Sequence, residues 1–568
     1  MAEAFAVLHP AAALVVAAVA VRSLPRRAGA LAGVGIPLAA TAWIATVPAG
    51  VHLQTTLFGF EVVLFYVDPV SRTVGTILAF VAAAAVAYGL GTGASRRQRT
   101  LSLLYLGAGL GAVFAGDWLT LVLAWEALAV AATALVWSSG DVAARRAGLR
   151  YAVYHEVGGL LLVAGVLLHY VGAGTFLFDG GFGGGSAALL GALGIGLNVG
   201  FVGLHPWLVD TYPRPHVATS VVLAACTTKV GVYGLARAFP DGRLVVAYVG
   251  GAMLLVGVTY AILQTDVRRL LSYHVVSQVG IMVAGIGVGT PLALSGAFAH
   301  LVNNVLYKSL LFVVAGLLIV RTGESSLERL GGLARSMPLT FGAFVVAALA
   351  IAGVPGFNGF VSKGMVFDAT EAAGLDVLWW VLVVGSAGTV LSFLKFGYYA
   401  FVYGEAREDV TDVDGPGRFA LAALALPCLL FGLLPGLQFA VLPGSTAAAT
   451  PFAASQFVKA AGILGAGSVA FVVLRTPLAR VTSVPDLDAV YHPLGARATW
   501  AVTDLVGGGG ARIDAAVERA TEAAVRATTR AADRRTAGLP GAVRRDAIGS
   551  GVLLLALTLA LLLLVGFL

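Results

Sequence analysis

Only five of the 36 basic residues in this 568-residue chain are lysine, and each lies in or beside an apolar stretch: Lys229, Lys308, Lys363, Lys395 and Lys459. Arginine supplies the rest, mostly in polar connections. A charge near the centre of a bilayer costs about 2.5–3.5 kcal/mol even on lenient insertion scales, so a cation kept there marks a pathway or a buried pair. Lysine gives up its proton readily when water is withdrawn, whereas arginine stays charged. An arginine-favouring genome explains why the loops lack lysine, but not why lysine persists in apolar segments.

Other titratable groups share those segments. Glu126 stands alone between Asp117 and Asp141, and Lys229 is as isolated between Arg214 and Arg237. His300, Asn304 and Lys308 recur at i, i+4 and i+8, one stripe of a helix. Histidine titrates near neutrality and asparagine can order water, so the stripe suits proton relay. Lys363 follows a Gly/Pro-rich segment whose freed carbonyls can hold a charge or a water. His155 and Glu156 form a pair in another apolar segment, equally readable as functional or structural. Lys395 is balanced in the same way, and Lys459 reads as an anchor snorkelling to the interface. Carboxylate and amine chemistry along a membrane is what a proton or cation wire requires.

Stepping from these residues to what must hold them, the chain is 59% hydrophobic and 11% charged, with mean hydropathy +0.91. That excludes an ordinary soluble globule and points to an all-α polytopic membrane protein. Sixteen apolar windows recur, near 4–21, 28–48, 68–91, 101–115, 118–137, 149–170, 187–208, 217–238, 245–263, 271–289, 292–320, 339–368, 376–402, 418–442, 456–475 and 549–567. They are numbered here as spans one to sixteen. The first reads as a span, not a signal peptide, since no clear cleavage site follows it. Arginines cluster after spans one, three and five (Arg22, Arg26 and Arg27; Arg96, Arg97 and Arg99; Arg145, Arg146 and Arg150), which puts those loops in the cytoplasm and the N-terminus outside. The net charge of +7 is therefore a topology signal, and no groove-reading or aromatic basic surface suggests nucleic acid. Two cysteines, Cys226 and Cys428, lie in apolar segments without metal or cluster spacing, and the glycine-rich stretch 172–185 reads as an external loop. No cofactor, metal, redox or hydrolytic site is expected in the chain itself.

An internal repeat is readable. Lys229-Val-Gly-Val-Tyr233 in span eight recurs as Lys395-Phe-Gly-Tyr-Tyr399 in span thirteen, each after a segment of helix breakers. Five spans per unit would invert successive units, as in many transporters with ion sites near the midplane. The expected domains are two spans and an external loop (1–67), a first repeat region (68–240), a second (241–405), further spans (406–480), a polar segment (481–548) and a last span (549–568). Within the polar segment a helix is expected over 511–537, either lying on the membrane surface or serving as a solvated linker.

Together the motifs resemble a family. Ala115-Gly-Asp117 with Trp125-Glu126, His205-Pro-Trp207-Leu-Val-Asp210-Thr-Tyr-Pro, Thr228-Lys229-Val-Gly-Val-Tyr233, the run from Asp266 to Gly280, His300-Leu-Val-Asn303-Asn-Val-Leu-Tyr-Lys308 and Gly353-Val-Pro-Gly-Phe-Asn-Gly-Phe-Val-Ser-Lys363 look like the large ion-translocating subunits shared by Mrp antiporters and respiratory complex I. The likeness covers roughly 60–400 and leans toward the D-type subunit of Mrp sodium/proton antiporters. It implies a fourteen-helix core with two inverted five-helix repeats and broken helices, here with a C-terminal extension. Carried over by position, Glu126 matches the span-five glutamate, Lys229 the span-eight lysine, His300 and Lys308 the central relay and Lys363 the broken-helix lysine. Two positions depart: Asn198 stands where the family has a lysine that pairs with the span-five glutamate, and Asn304 replaces a second histidine. Asp210 keeps its motif's acid although Val209 replaces a proline.

The resemblance thus implies a plasma-membrane subunit conducting protons, with sodium as a second candidate cation, in contact with lipid and with other antiporter-complex subunits. His205, Lys229 or Glu156 would replace the missing partner of Glu126, or this unit departs from the family's pair switching. Rival readings are a proton-pumping subunit of a complex I-like oxidoreductase or membrane hydrogenase, the membrane half of an inorganic-carbon uptake pair, and a scaffold retained for assembly.

Overall fold

A computed structural model describes residues 8–57, 59–407, 410–478 and 489. All of these except Ala489 fall in one compact unit, 1–484. The helix expected over 511–537 and the sixteenth span lie outside the described residues.

Fifteen expected spans are found as helices. Among the described residues eleven of these are long and apolar enough to cross a membrane, three are shorter apolar helices, Pro10–Ser23, Gly185–Val199 and Pro338–Ala352, and span four, Arg96–Val113, is the fifteenth. The protein is a polytopic membrane protein. Spans four and five are Arg96–Val113 and Trp118–Trp137; span six is Val142–Ala173. Spans nine to eleven are Leu244–Leu263, Val267–Val288 and Pro291–Thr322. Span thirteen runs Asp376–Gly397 into a wider turn at Tyr398–Val402, and span fifteen is Ala454–Leu478.

Three expected spans are interrupted. Span seven is helical over Gly185–Val199, turns through Gly200 in the left-handed region (φ 82°), and resumes as the short helix Pro206–Thr211. Span eight breaks at Cys226 into Val217–Ala225 and Thr227–Ala238. Span twelve breaks between Pro338–Ala352 and Asn358–Ala372, where Gly353 (φ 79°) and Gly356 (φ 90°) take backbone angles that side chains resist. A break strands carbonyls that an intact helix would satisfy, which is tolerable in a membrane only beside protein donors or water. The region expected as an external loop holds a two-stranded antiparallel hairpin, β1 Gly50–Leu57 and β2 Phe60–Val67.

The internal repeat is explicit in the caps. Asp117 caps span five through Thr120 N, and its backbone bridges to Leu177. Asp266, 149 residues later, caps span ten through Arg268 N and Arg269 N and bridges to Ser326, also 149 residues on. Spans six and eleven are both 32 residues long and end in left-handed glycines, Gly174 and Gly323, at the same offset. Glycine lets spans nine and ten touch: a Cβ on Gly250 would collide with Ala284 N, and one on Gly287 with Ala247 N. Small residues at such contacts are how membrane helices approach closely.

Candidate functional site

The site grows from the three breaks. At Cys226 the backbone leaves helical geometry (φ −111°, ψ −71°). Lys229, fully buried, donates from Nζ to the stranded carbonyl of Ala224 (2.8 Å) and to Thr228 Oγ1 (3.3 Å). An ammonium without water needs such acceptors. One residue beyond the break, Thr227 Oγ1 meets Tyr105 Oη at 2.6 Å and Tyr151 Oη at 2.8 Å. Tyr151 stacks on His155 with ring centroids 3.8 Å apart. His155 Nδ1 faces the Tyr151 carbonyl at 2.8 Å and so donates, leaving Nε2 as the acceptor nitrogen of the neutral ring.

The second half repeats this logic. His300, Asn304 and Lys308 are buried on one stripe of span eleven, as their spacing predicts. His300 meets Ser362 Oγ at 3.0 Å through Nδ1 and Tyr307 Oη at 3.3 Å through Nε2. Asn304 Nδ2 donates to the same Tyr307 oxygen (3.3 Å), which in turn reaches Gln278 Oε1 (3.4 Å). Lys308 Nζ donates to the Leu271 carbonyl at 3.1 Å and lies 5.8 Å over the Phe393 ring. Lys363 Nζ donates to Ile351 O at 2.7 Å, a carbonyl freed by the span-twelve break. His300 thus reaches, through Ser362, the residue next to Lys363, and Lys308 ties span eleven to span ten.

Not every expected residue joins this row. Glu126 is half-buried on span five, and its Oε1 fills the space that a Cβ on Gly159 would need. The charged group acting on it is Glu156 of span six, also half-buried, so its neighbour is a second acid and not a base. Asn198 is buried, with Oδ1 lacking a hydrogen-bond partner among the described residues. His205 is buried ahead of Pro206–Thr211, its ring centroid 6.2 Å from that of Tyr273. Asp210 is half-exposed in an ion pair with Arg150. Lys395 donates to Ile262 O (2.7 Å) and Gln264 O (2.9 Å), capping the C-terminal end of span nine as a cation should. Lys459 corrects an expectation: instead of snorkelling it is held by Asp368 (2.6 Å) and Glu371 (3.1 Å), because span fifteen runs beside the end of span twelve.

The sequence reading passed over Tyr105, Tyr151, Thr227, Gln278, Ser362 and Asp368. Their common signal was a polar group inside an apolar window within a few residues of a titratable one. Among the described residues no group of three or more His, Cys, Asp or Glu side chains is placed to hold a metal ion.

The profile of the family described as NADH:quinone oxidoreductase/Mrp antiporter, TM, matches residues 115–392. NADH-quinone oxidoreductase subunit N of Desulforudis audaxviator is 32% identical over 418 residues, 66% of this chain and 81% of that protein. The chain belongs to this family. Another member of the NADH:quinone oxidoreductase/Mrp antiporter family, the D-type subunit of the Na(+)/H(+) antiporter of Alkalihalophilus pseudofirmus, is 30% identical over 338 residues, 56% of this chain and 67% of that one. In fold, a chain of the Mrp complex from Dietzia sp. superposes with a TM-score of 0.68 at 22% identity, covering 82% of this chain and 99% of its own. These family members are named as subunits or parts of larger complexes.

Proposed function

We propose that the protein is the proton-translocating membrane subunit of a multisubunit cation/proton antiporter, with sodium as the cation exchanged by the complex. One observation carries this: Lys229, Lys308 and Lys363 lie buried, each holding a backbone carbonyl, with His300 bonded to Ser362 beside the last of them. A row of amines without fixed counter-ions holds protons that a neighbouring charge can displace, whereas a row of tight ion pairs would be structural. Protons pass along Lys229, Lys308, His300 and Lys363, with Tyr307, Asn304 and Ser362 ordering the hydrogen bonds between them. Glu126 and Glu156 form the acidic end that meets the neighbouring subunit. The setting is the plasma membrane, with lipid around the outer spans and the N-terminus outside, as the arginine clusters indicate.

In membrane vesicles carrying the assembled complex, Lys229→Ala and Lys363→Ala should each abolish cation-dependent collapse of a pH gradient, read with a pH-sensitive dye. Exchange at the wild-type rate in both, at equal complex abundance, refutes the assignment. The likeness to a quinone oxidoreductase subunit favours one second reading, redox-driven pumping. Acidification of the vesicles by an electron donor, without added sodium and lost in the same variants, would select it.

A further inference from the structure

Lys363 lines a cavity of about 20 Å³ between spans twelve, thirteen and fifteen, together with Ser386, Gln456 and Lys459. A water needs about 10–15 Å³ on this measure, so the space takes one. Ser386 is fully buried on its wall, and its Oγ has no hydrogen-bond partner among the described residues. Gln456, 4% exposed, presses its Oε1 to within 3.0 Å of where a Cβ on Gly364 would stand, beside Lys363. Its Nε2 donates to Asp368 Oδ2. Lys459 Nζ donates to Asp368 Oδ1 at 2.6 Å and to Glu371 Oε2 at 3.1 Å. Side-chain exposure rises along this line, from 22% at Asp368 to 60% at Glu371. The eight residues from Lys363 to Glu371 rise about 12 Å, most of the roughly 15 Å half-thickness of a hydrocarbon core.

We infer that this line is the portal through which Lys363 exchanges protons with water at the C-terminal end of span twelve, with Asp368 as proton acceptor and Lys459 as its latch. The inference rests on the function proposed above. The Lys363 ammonium gives a proton to the single water, and once Lys459 swings aside that water passes one on to Asp368, which lies behind the lining residues Gln456 and Lys459. Asp368 then releases it to bulk water, and Lys363 remains as a neutral amine until recharged from the His300 side. While Gln456 and Lys459 each donate to an Asp368 oxygen, the carboxylate is a weaker proton acceptor. Lys459 already spans Asp368 and Glu371, so a small swing toward Glu371 frees the acid without unpairing the amine.

The test uses the full chain in its assembled complex. Asp368→Asn should slow exchange at least tenfold, and Asp368→Glu should restore half or more. Lys459→Met should raise cation-independent proton leak several-fold. Wild-type exchange per complex in Asp368→Asn, including when only abundance falls, overturns the portal. Should Asp368→Asn not assemble, an unchanged proton leak in Lys459→Met overturns the latch. Loss of exchange in Lys363→Ala alone would leave the proposed function standing and remove only the portal; loss in neither would remove both.

Discussion

At the scale of single residues, what distinguishes the lysines is what holds each ammonium. Lys229, Lys308 and Lys363 each rest on a backbone carbonyl deep in the protein, Lys395 caps a helix end, and Lys459 is salt-bridged. Sequence revealed all five as out of place, but isolation in an apolar run says nothing about which carbonyl or carboxylate lies across the gap. That is why Lys395 stayed ambiguous and Lys459 was misread: the partners of Lys459 lie 88 and 91 positions away. Lys395→Met should keep exchange per complex while lowering stability by about 1.5–3 kcal/mol, the usual worth of a charged hydrogen bond, seen as an earlier thermal loss of assembled complex. Glu126 offers a sharper case. Because its carboxylate occupies the space beside Gly159, Gly159→Ala should displace it and reproduce the transport defect of Glu126→Gln. Equal exchange in Gly159→Ala and wild type would show that the carboxylate's position is immaterial.

At the scale of elements, the breaks are the device. Glycine- and proline-rich segments announced the interruption in span twelve, and Pro206 and Gly200 flank that in span seven. The break at Cys226 had no such signal, since Ala-Ala-Cys-Thr-Thr is unremarkable in a helix; the departure shows only in the backbone angles. The two halves of span twelve meet so closely that a Cβ on Gly359 would overlap Ala350 O. Gly359→Ala should therefore force the halves apart and cut the yield of folded protein severely. Gly342→Ala, with nothing within 4 Å of the added carbon, should leave yield unchanged; size-exclusion profiles of the detergent-solubilised protein compare them. The hairpin of Gly50–Leu57 and Phe60–Val67 lies outside the sequence reading because β pairing depends on partners across a turn, and its apolar run is too short to mark a span.

For the whole molecule, the 149-residue offset joining Asp117 to Asp266 and Gly174 to Gly323 makes spans four to six and nine to eleven structural copies. The sequence showed the kinship through Lys229 and Lys395, at a different spacing of 166, because insertions near the breaks shift the later helices. An odd number of spans per copy turns one over relative to the other, and the orientation proposed from the arginine clusters puts the loops after odd-numbered spans in the cytoplasm. Arg97→Cys and Asp179→Cys, both exposed, should react with an impermeant thiol reagent from opposite faces of the membrane, the first from the cytoplasm. Labelling from one face alone would break the topology. The single-water chamber beside Lys363 has a consequence for selectivity. A sodium ion with its usual half-dozen waters would need roughly 60–90 Å³ on the measure by which the chamber offers about 20 Å³. Stripping that shell is costly, while a proton hops through one molecule of solvent. For the proposed portal the consequence is a preference for protons over hydrated metal ions at this end of span twelve.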